Sequence, residues 1–554
     1  MKKIKKMWLL LTILAGVCLL GCAIVNGNNE KDEKEIIIDS YTGEASYNKQ
    51  TKTISFPGQW KNFILDPPRT AKGKYICVEY SNLKGGINLY VHYDDGDNDF
   101  DSENNPCSEK QLLAYKNKIY LELEASKFIS SKTVRLKFLS TTNTAEFVIN
   151  KIYFTDEVID KQPVVDNRAN PVDFNNSISA INLVKEMAVG FNLGNCYEAH
   201  QSMNDTIEIR WDGVDYWKSP EMSAEVLEDL AQFFGKNSSG KSNAKTIRIP
   251  VTWFNHIIDD NYTIDPYWME QIKNVVDIAY GLGYYVIINS HHDVRGLDKN
   301  PPMSTPLKYH EGYILRDTPE DISESKQFLE NIWKQICAAF NNSYGERLIF
   351  ETMNEPRNTA DKDGFWGVNK DCSDCLAEAK LNNEYNQLIL NTIRASGGNN
   401  AKRFVMIPNV ACDRQSGLDE VFKMPEDSAT DKLILTIHWY PLWDHLWMSE
   451  GHDYDLPVMQ NIVASLNSNF VEKGIPIVIG EIGPTEGDFG KLAENAGKTT
   501  EEEINKEALK PLYELVTNAG QYGMSALIFH LNDLQRKIDG KYLPQYLVEA
   551  WNQQ

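Results

Sequence analysis

Two glutamates, Glu355 and Glu481, each close an otherwise apolar run of residues. A carboxyl group in such surroundings is costly to bury unless it is paired or put to use. Two that converge on one point form an acid and a nucleophile. One hands a proton to a leaving oxygen while the other, ionised, attacks carbon. Other polar residues hold matching places: Arg248 inside a second apolar run, Asn289, His291 and His292 at the end of a third, Asn354 beside Glu355, and His438 and Tyr440 on a sixth. A single histidine or arginine is usually a satisfied structural group, and Asn354-Glu355-Pro356 alone reads as a helix cap. Such placements on five of the apolar runs are harder to assign to chance.

The elements that must position these residues are eight apolar runs: 188–193, 246–250, 284–289, 348–353, 404–408, 433–439, 476–480 and 525–529. Amphipathic stretches of helix length separate them. Continuously apolar strands alternating with helices indicate a closed parallel barrel, (β/α)8, over 173–554. A doubly wound open sheet is the runner-up, but GFNLGN after the first run lacks the glycine spacing of a phosphate turn. In a parallel barrel all strand ends share one rim, where sites are built. Glutamates on the fourth and seventh strands then face each other, with a carboxyl gap of about 5–6 Å from strand spacing and tilt. That is near the separation of about 5–5.5 Å used when hydrolysis of a glycosidic bond retains configuration. Arg248 is expected to hold Glu481 ready to attack, with Tyr440 donating to it. Glu355, facing that charge with little solvent, is expected to keep its proton as general acid. Asn354 is placed for a sugar 2-hydroxyl, and His291, His292 and His438 for hydroxyls and carboxylates. No metal or other cofactor is expected, because His291 and His292 are adjacent rather than at ligand spacing. Trp211, Trp217, Trp253, Trp366, Trp439 and Trp443 lie in or near loops after strands, and Trp217 and Trp366 are favoured as sugar platforms.

The chain has 554 residues and a formal charge of -22, with 12 Trp and 26 Tyr. So acidic a surface offers nothing to nucleic acid and would repel acidic polymers, so a neutral substrate fits better. Lys2, Lys3, Lys5 and Lys6 precede an apolar stretch ending in Leu19-Leu20-Gly21-Cys22. That pattern resembles a bacterial lipobox, giving a signal peptide (1–21) and a diacylglycerol on Cys22 that anchors a monomer in the cell envelope, facing outward. Residues 22–35 form a polar tether. Period-two alternation over 36–158 indicates a β-sandwich, either glycan-binding through Trp60, Tyr90 and Tyr93 or a plain spacer. Residues 159–172 form a linker. The acidic loop 94–104 does not fit an EF-hand. Cys372-x-x-Cys375 lacks a second pair for zinc, leaving a loop disulfide or two free thiols.

Several segments resemble glycoside hydrolase family five, the cellulase A type. GFNLGNCYEA (190–199), TIRIPVTWFNH (246–256), VIINSHHD (286–293), FETMNEP (350–356), ASGGNNAKRFVMIP (395–408), LTIHWYP (435–441) and VIGEIG (478–483) are similar to that family's motifs, over about 180–530. The resemblance implies Glu355 as acid/base and Glu481 as nucleophile. It makes Arg248, His291, Asn354, His438 and Tyr440 the rest of the site, with His256 and Trp217 contacting sugar. Asn195 belongs to the first motif. The family commonly ends its eighth strand in Trp; ALIFHLND leaves Phe529 or His530 there, and substrate preference is expected to shift. The implied activity is an endo-acting β-glucanase on cellulose, mixed-linkage glucan or xyloglucan. A mannanase or xylanase on the same scaffold, or a surface lipoprotein that binds glycan without cutting it, are the alternatives.

Overall fold

The computed structural model describes residues 35–67, 73–94, 107–113, 116–123, 133–158, 161–194, 196–198, 223–236, 238, 242–294, 312–313, 315, 318–358, 367–415, 420–440, 456–483 and 500–529. Cys22, the acidic loop beyond Asp94, Asn195, Trp211, Trp217, Trp366, Trp443 and His530 lie outside the described residues. The chain divides into two compact units, 1–160 and 161–554.

The first unit is all-β. Its strands are β1 (Thr42–Gly43), β2 (Ser46–Asn48), β3 (Thr53–Phe56), β4 (Asn62–Leu65), β5 (Tyr75–Lys84), β6 (Ile87–Asp94), β7 (Cys107–Gln111), β8 (Lys118–Glu122), β9 (Thr133–Ser140) and β10 (Ala145–Thr155). They form two antiparallel sheets, ordered β1-β4-β9-β6-β7 and β2-β3-β10-β5-β8. Alternation sends Leu89, Val91, Leu136 and Phe138 of one sheet, and Ile76, Val78, Phe147 and Ile149 of the other, into a single core. Phe138 and Phe147 meet across it at 5.2 Å between ring centroids. Tyr93 belongs to that core at 4% exposure, so it cannot join Trp60, 62% exposed, on an outer stacking face.

The second unit is a closed parallel barrel of β11 (Val189–Asn192), β12 (Thr246–Ile249), β13 (Tyr285–Asn289), β14 (Leu348–Glu351), β15 (Val405–Asp413), β16 (Leu433–His438), β17 (Ile477–Ile482) and β18 (Ser525–Ile528). Val189 pairs with Ala526 to close the ring. Both faces of these strands are covered, which is why they read as unbroken apolar runs rather than alternating ones. The helix Ala180–Met187, capped by Ser179, packs Leu183, Val184 and Met187 against Ile287, Ile349, Met406 and Leu527 and seals the N-terminal end. With that end filled, the polar side chains at the C-terminal ends are left to face the opposite rim.

One strand departs from expectation. β15 continues past Pro408 to Asp413, with a break in its pairing to β16 between those two residues. The extension rejoins the sheet opposite His438, at the rim. No helix among the described residues is long and apolar enough to cross a membrane.

Candidate active site

Arg248, on β12, is the hub of the rim. Its guanidinium is wholly buried, a position tolerable only with every donor engaged. Nη1 donates to Asn192 Oδ1 at 2.9 Å and to Glu481 Oε1 at 2.7 Å. Nη2 donates to Asn354 Oδ1 at 2.6 Å, and Nε to Glu351 Oε2 at 2.8 Å. Burial alone would lower its pKa; Glu351 and Glu481 more than reverse this and raise it. Arg248 therefore holds Glu481, as the sequence leads one to expect, and spends its remaining donors on Glu351, Asn192 and Asn354.

Glu351 is a further carboxylate of the site, one not among the residues expected there from sequence. Its other oxygen accepts from Thr436 Oγ1 at 2.9 Å, and Oε2 also accepts from Asn289 Nδ2 at 2.9 Å. A charged residue inside the otherwise apolar strand LIFE, opposite the equally odd arginine of TIRI, was the available signal. Asn289 is likewise spent within the protein. Its Oδ1 accepts from the Val251 backbone at 3.1 Å, and its Nδ2 also lies 3.2 Å from His291 Nδ1. It supports the site from below instead of binding sugar.

Glu481 is held at both oxygens, by Arg248 and by Tyr440, whose hydroxyl donates to Oε2 at 2.7 Å. Burial and the nearby carboxylates push the Tyr440 phenol well above its usual range, so it stays a neutral donor. His291 places Nε2 3.8 Å from Glu481 Oε1. Burial, then the charges of His292 and Arg248, depress its pKa well below 6.5, leaving a neutral ring. His292 packs edge-on against His291 at 4.4 Å between centroids. Phe529, at the end of the eighth strand, lies parallel to His291 at 6.2 Å.

Glu355 is the more open carboxyl group, its side chain 16% exposed against 5% for Glu481. His438 Nδ1 lies 2.8 Å from its Oε1 and 3.5 Å from Glu481 Oε2, and so bridges the pair. Gly480 permits this: a Cβ there would sit 3.2 Å from His438 Nε2. Arg357 Nη1 donates to Glu355 Oε2 at 2.6 Å. Burial raises the Glu355 pKa, but Arg357 and His438 outweigh it and bring it down to about 2. The Arg357 and His438 contacts thus favour the ionised form of Glu355 over the protonated acid expected from sequence, and the difference traces to Arg357, directly after Asn354-Glu355-Pro356. Burial lowers the pKa of His438, yet Cys412, Glu481 and Glu355 raise it well above 6.5 overall.

One donor atom each from Glu355, His438 and Glu481 lies within 4.8 Å of the others, a set that could in principle grip a cation. Each carboxylate is already matched by a guanidinium, and Tyr440 takes a further lone pair, so those donors are committed to the protein. His256 is apart from the group: its ring stacks on Trp268 at 3.7 Å and is 2% exposed, which leaves almost no edge for sugar. Trp253 and Trp439 are buried. No disulfide joins Cys372 and Cys375, and Cys372 Sγ caps a helix by accepting from the Cys375 backbone at 3.2 Å.

The chain is similar to several known proteins. A structure of a glycoside hydrolase 5 lichenase from Caldicellulosiruptor sp. F32 in complex with cellotetraose shares the fold, with a TM-score of 0.52 and 23% identity over 71% of this chain and 99% of that one. Endoglucanase B of Ruminococcus albus is 33% identical over 313 residues, 56% of this chain and 66% of its own length. Endoglucanase A of the same organism is 30% identical over 322 residues, covering 56% and 76%. The chain spans just under two thirds of the length of Endoglucanase B, 66%, and of another relative from Ruminococcus albus, Endoglucanase 1, 65%. The model of the cellulase family, glycosyl hydrolase family 5, matches residues 235–533, a stretch that holds both carboxylates, Arg248, His438 and Tyr440, and so the chain belongs to that family.

Proposed function

We propose that the protein is an endo-acting, retaining β-glycoside hydrolase of the β-1,4-glucanase or xyloglucanase type, cutting a plant-type polysaccharide by double displacement. The observation that carries this is the approach of the Glu355 and Glu481 carboxylates, with one oxygen of each inside the 4.8 Å cluster. A gap that short leaves no room for water between inverting carboxylates and suits direct attack. Names of relatives, endoglucanases in the main, favour a β-glucan over a mannan or xylan.

In the first step Glu481 attacks the anomeric carbon. The bond to the leaving oxygen breaks as that oxygen takes a proton from Glu355. Because Glu355 rests ionised, the proton comes to it from His438 Nδ1, 2.8 Å away, as the sugar displaces Arg357. In the second step the ionised Glu355 takes a proton from water, whose oxygen attacks the same carbon and frees Glu481. Asn354, its Oδ1 held by Arg248, keeps Nδ2 to donate to a 2-hydroxyl. Asn195, Trp217, Trp366, His292 and His530 are assigned to the sugar-binding rim on the sequence pattern alone. The same pattern supports lipidation at Cys22 and a monomer tethered to the outside of a bacterial cell envelope.

The test is reducing-end release from cellulose, mixed-linkage glucan, xyloglucan, mannan and xylan, with proton NMR of the first-formed anomer. Early β product from a β-glucan is expected. An inverted first product, or a wild type no faster than a Glu355→Gln/Glu481→Gln double variant on every polymer, would sink the reading.

A further inference from the structure

The extended end of β15 does something its neighbours do not. Between Pro408 and Asp413, where pairing with β16 lapses, Ala411 and Cys412 adopt φ of 56° and 51°. Two consecutive side-chain-bearing residues in the left-handed region persist only where their surroundings hold them. What holds them is the segment carrying Glu355. The Ala411 backbone N–H donates to the carbonyl of Pro356 at 2.7 Å, and the Cys412 thiol lies 3.0 Å from the carbonyl of Asn354. These are the two carbonyls that flank Glu355. The turn is closed by Asn409, whose Nδ2 donates to the Asp413 carbonyl at 2.5 Å. Cys412 has no exposed surface, and its thiol also lies against the ring of His438. Burial pushes the thiol pKa up, so the sulfur keeps the proton it needs to donate.

We propose that the left-handed Ala411–Cys412 turn is a clamp that positions the acid/base Glu355, with Cys412 as its side-chain positioning residue. It grips both neighbours of Glu355 from below and leaves the carboxyl group itself free to meet the leaving oxygen. The inference rests on the assignment of Glu355 as acid/base, and it adds a requirement that assignment does not contain: acid assistance depends on a group outside the catalytic cluster.

Acid assistance matters for a poor leaving group and hardly at all for a good one, which separates positioning from a general structural role. Wild type, Cys412→Ala and Cys412→Ser are compared on phenyl and 2,4-dinitrophenyl β-cellobioside. Retained product from the wild type on the phenyl substrate establishes the underlying hydrolase; its absence would strike the proposed function and not the clamp. The clamp predicts that Cys412→Ala loses kcat/KM roughly 10- to 100-fold on the phenyl substrate, while kcat/KM on the dinitrophenyl substrate stays within about twofold. Cys412→Ser, which restores a donor, recovers most of the loss. Should Cys412→Ala fail to fold, Cys412→Gly, which takes the left-handed backbone without strain, serves as the donor-free variant. Equal losses on both leaving groups, or a serine variant no better than alanine, overturn the proposal.

Discussion

Arg357 sits 2.6 Å from the carboxylate of Glu355, only two residues away in sequence, and fixes its Oε2 while His438 takes Oε1. Glu355, the proposed acid, is thus favoured in its ionised form by its own neighbour. Glu355 and His438 then behave as one unit holding a single proton, which rests on the imidazole and must cross 2.8 Å to become useful. In the second step the same arrangement is an advantage, since Glu355 must then be a base.

Removing the guanidinium should release the acid. In Arg357→Gln, the Glu355 carboxyl group is expected to titrate distinctly higher than the value of about 2 that Arg357 and His438 impose against burial. Carbon-13 NMR of labelled glutamate in a Glu481→Gln background would follow it without interference from the other catalytic carboxylate. A midpoint unchanged by the substitution would show that Arg357 does not govern the proton.

The two carboxylates should also be separable by an external nucleophile. In Glu355→Ala, azide is expected to attack the glycosyl-enzyme and give a β-glycosyl azide. In Glu481→Ala it should enter from the opposite face and give the α-anomer. Loss of the acid/base group is expected to slow turnover of a poor leaving group by about 10²–10⁴-fold. The same azide anomer from both variants would contradict the roles assigned to positions 355 and 481.

The barrel was legible because its strands are covered on both faces and so carry no alternation to confuse with a surface sheet. Arg248, Glu355, His438, Tyr440 and Glu481 were legible because a polar residue at the end of an apolar run has few other reasons to be there. Glu351 and Arg357 were not, and for different reasons. Glu351 is hidden inside a strand, where its partners come from positions 248, 289 and 436 and only the closed ring brings them together. Arg357 looks like an ordinary loop cation until its side chain is seen folded back on Glu355. His256 shows the reverse: a motif position marks a residue as important without saying whether it faces sugar or protein.

Glu351 gives a stability prediction. Its carboxylate neutralises a guanidinium that has no solvent, and removing one partner from a buried pair typically costs about 3–5 kcal/mol. Glu351→Ala is expected to lie in that range by urea denaturation of the full chain. Glu481→Ala should cost clearly less, because Glu351 still pairs with Arg248 at 2.6 Å after Glu481 is gone. If the two variants were equally destabilised, Glu351 would not be the principal counter-charge of Arg248.

Glu355 carries a last prediction, in the acid range. Its ordinary value is 4.5 and its folded value about 2, so between those limits the unfolded chain binds the proton and the folded chain does not. Stability from its contacts with Arg357 and His438 is therefore complete above about pH 4.5 and drains away as pH falls toward 2. Glu355→Gln cannot titrate and lacks this slope. Thermal midpoints of wild type and variant, measured at pH 5, 4 and 3, below the ordinary histidine value so that His438 adds little slope, should show the wild-type advantage shrinking step by step. An advantage that grew on acidification would mean the proton is bound more tightly in the folded state. Glu355 would then rest protonated, and the transfer from His438 would have no part in the first step.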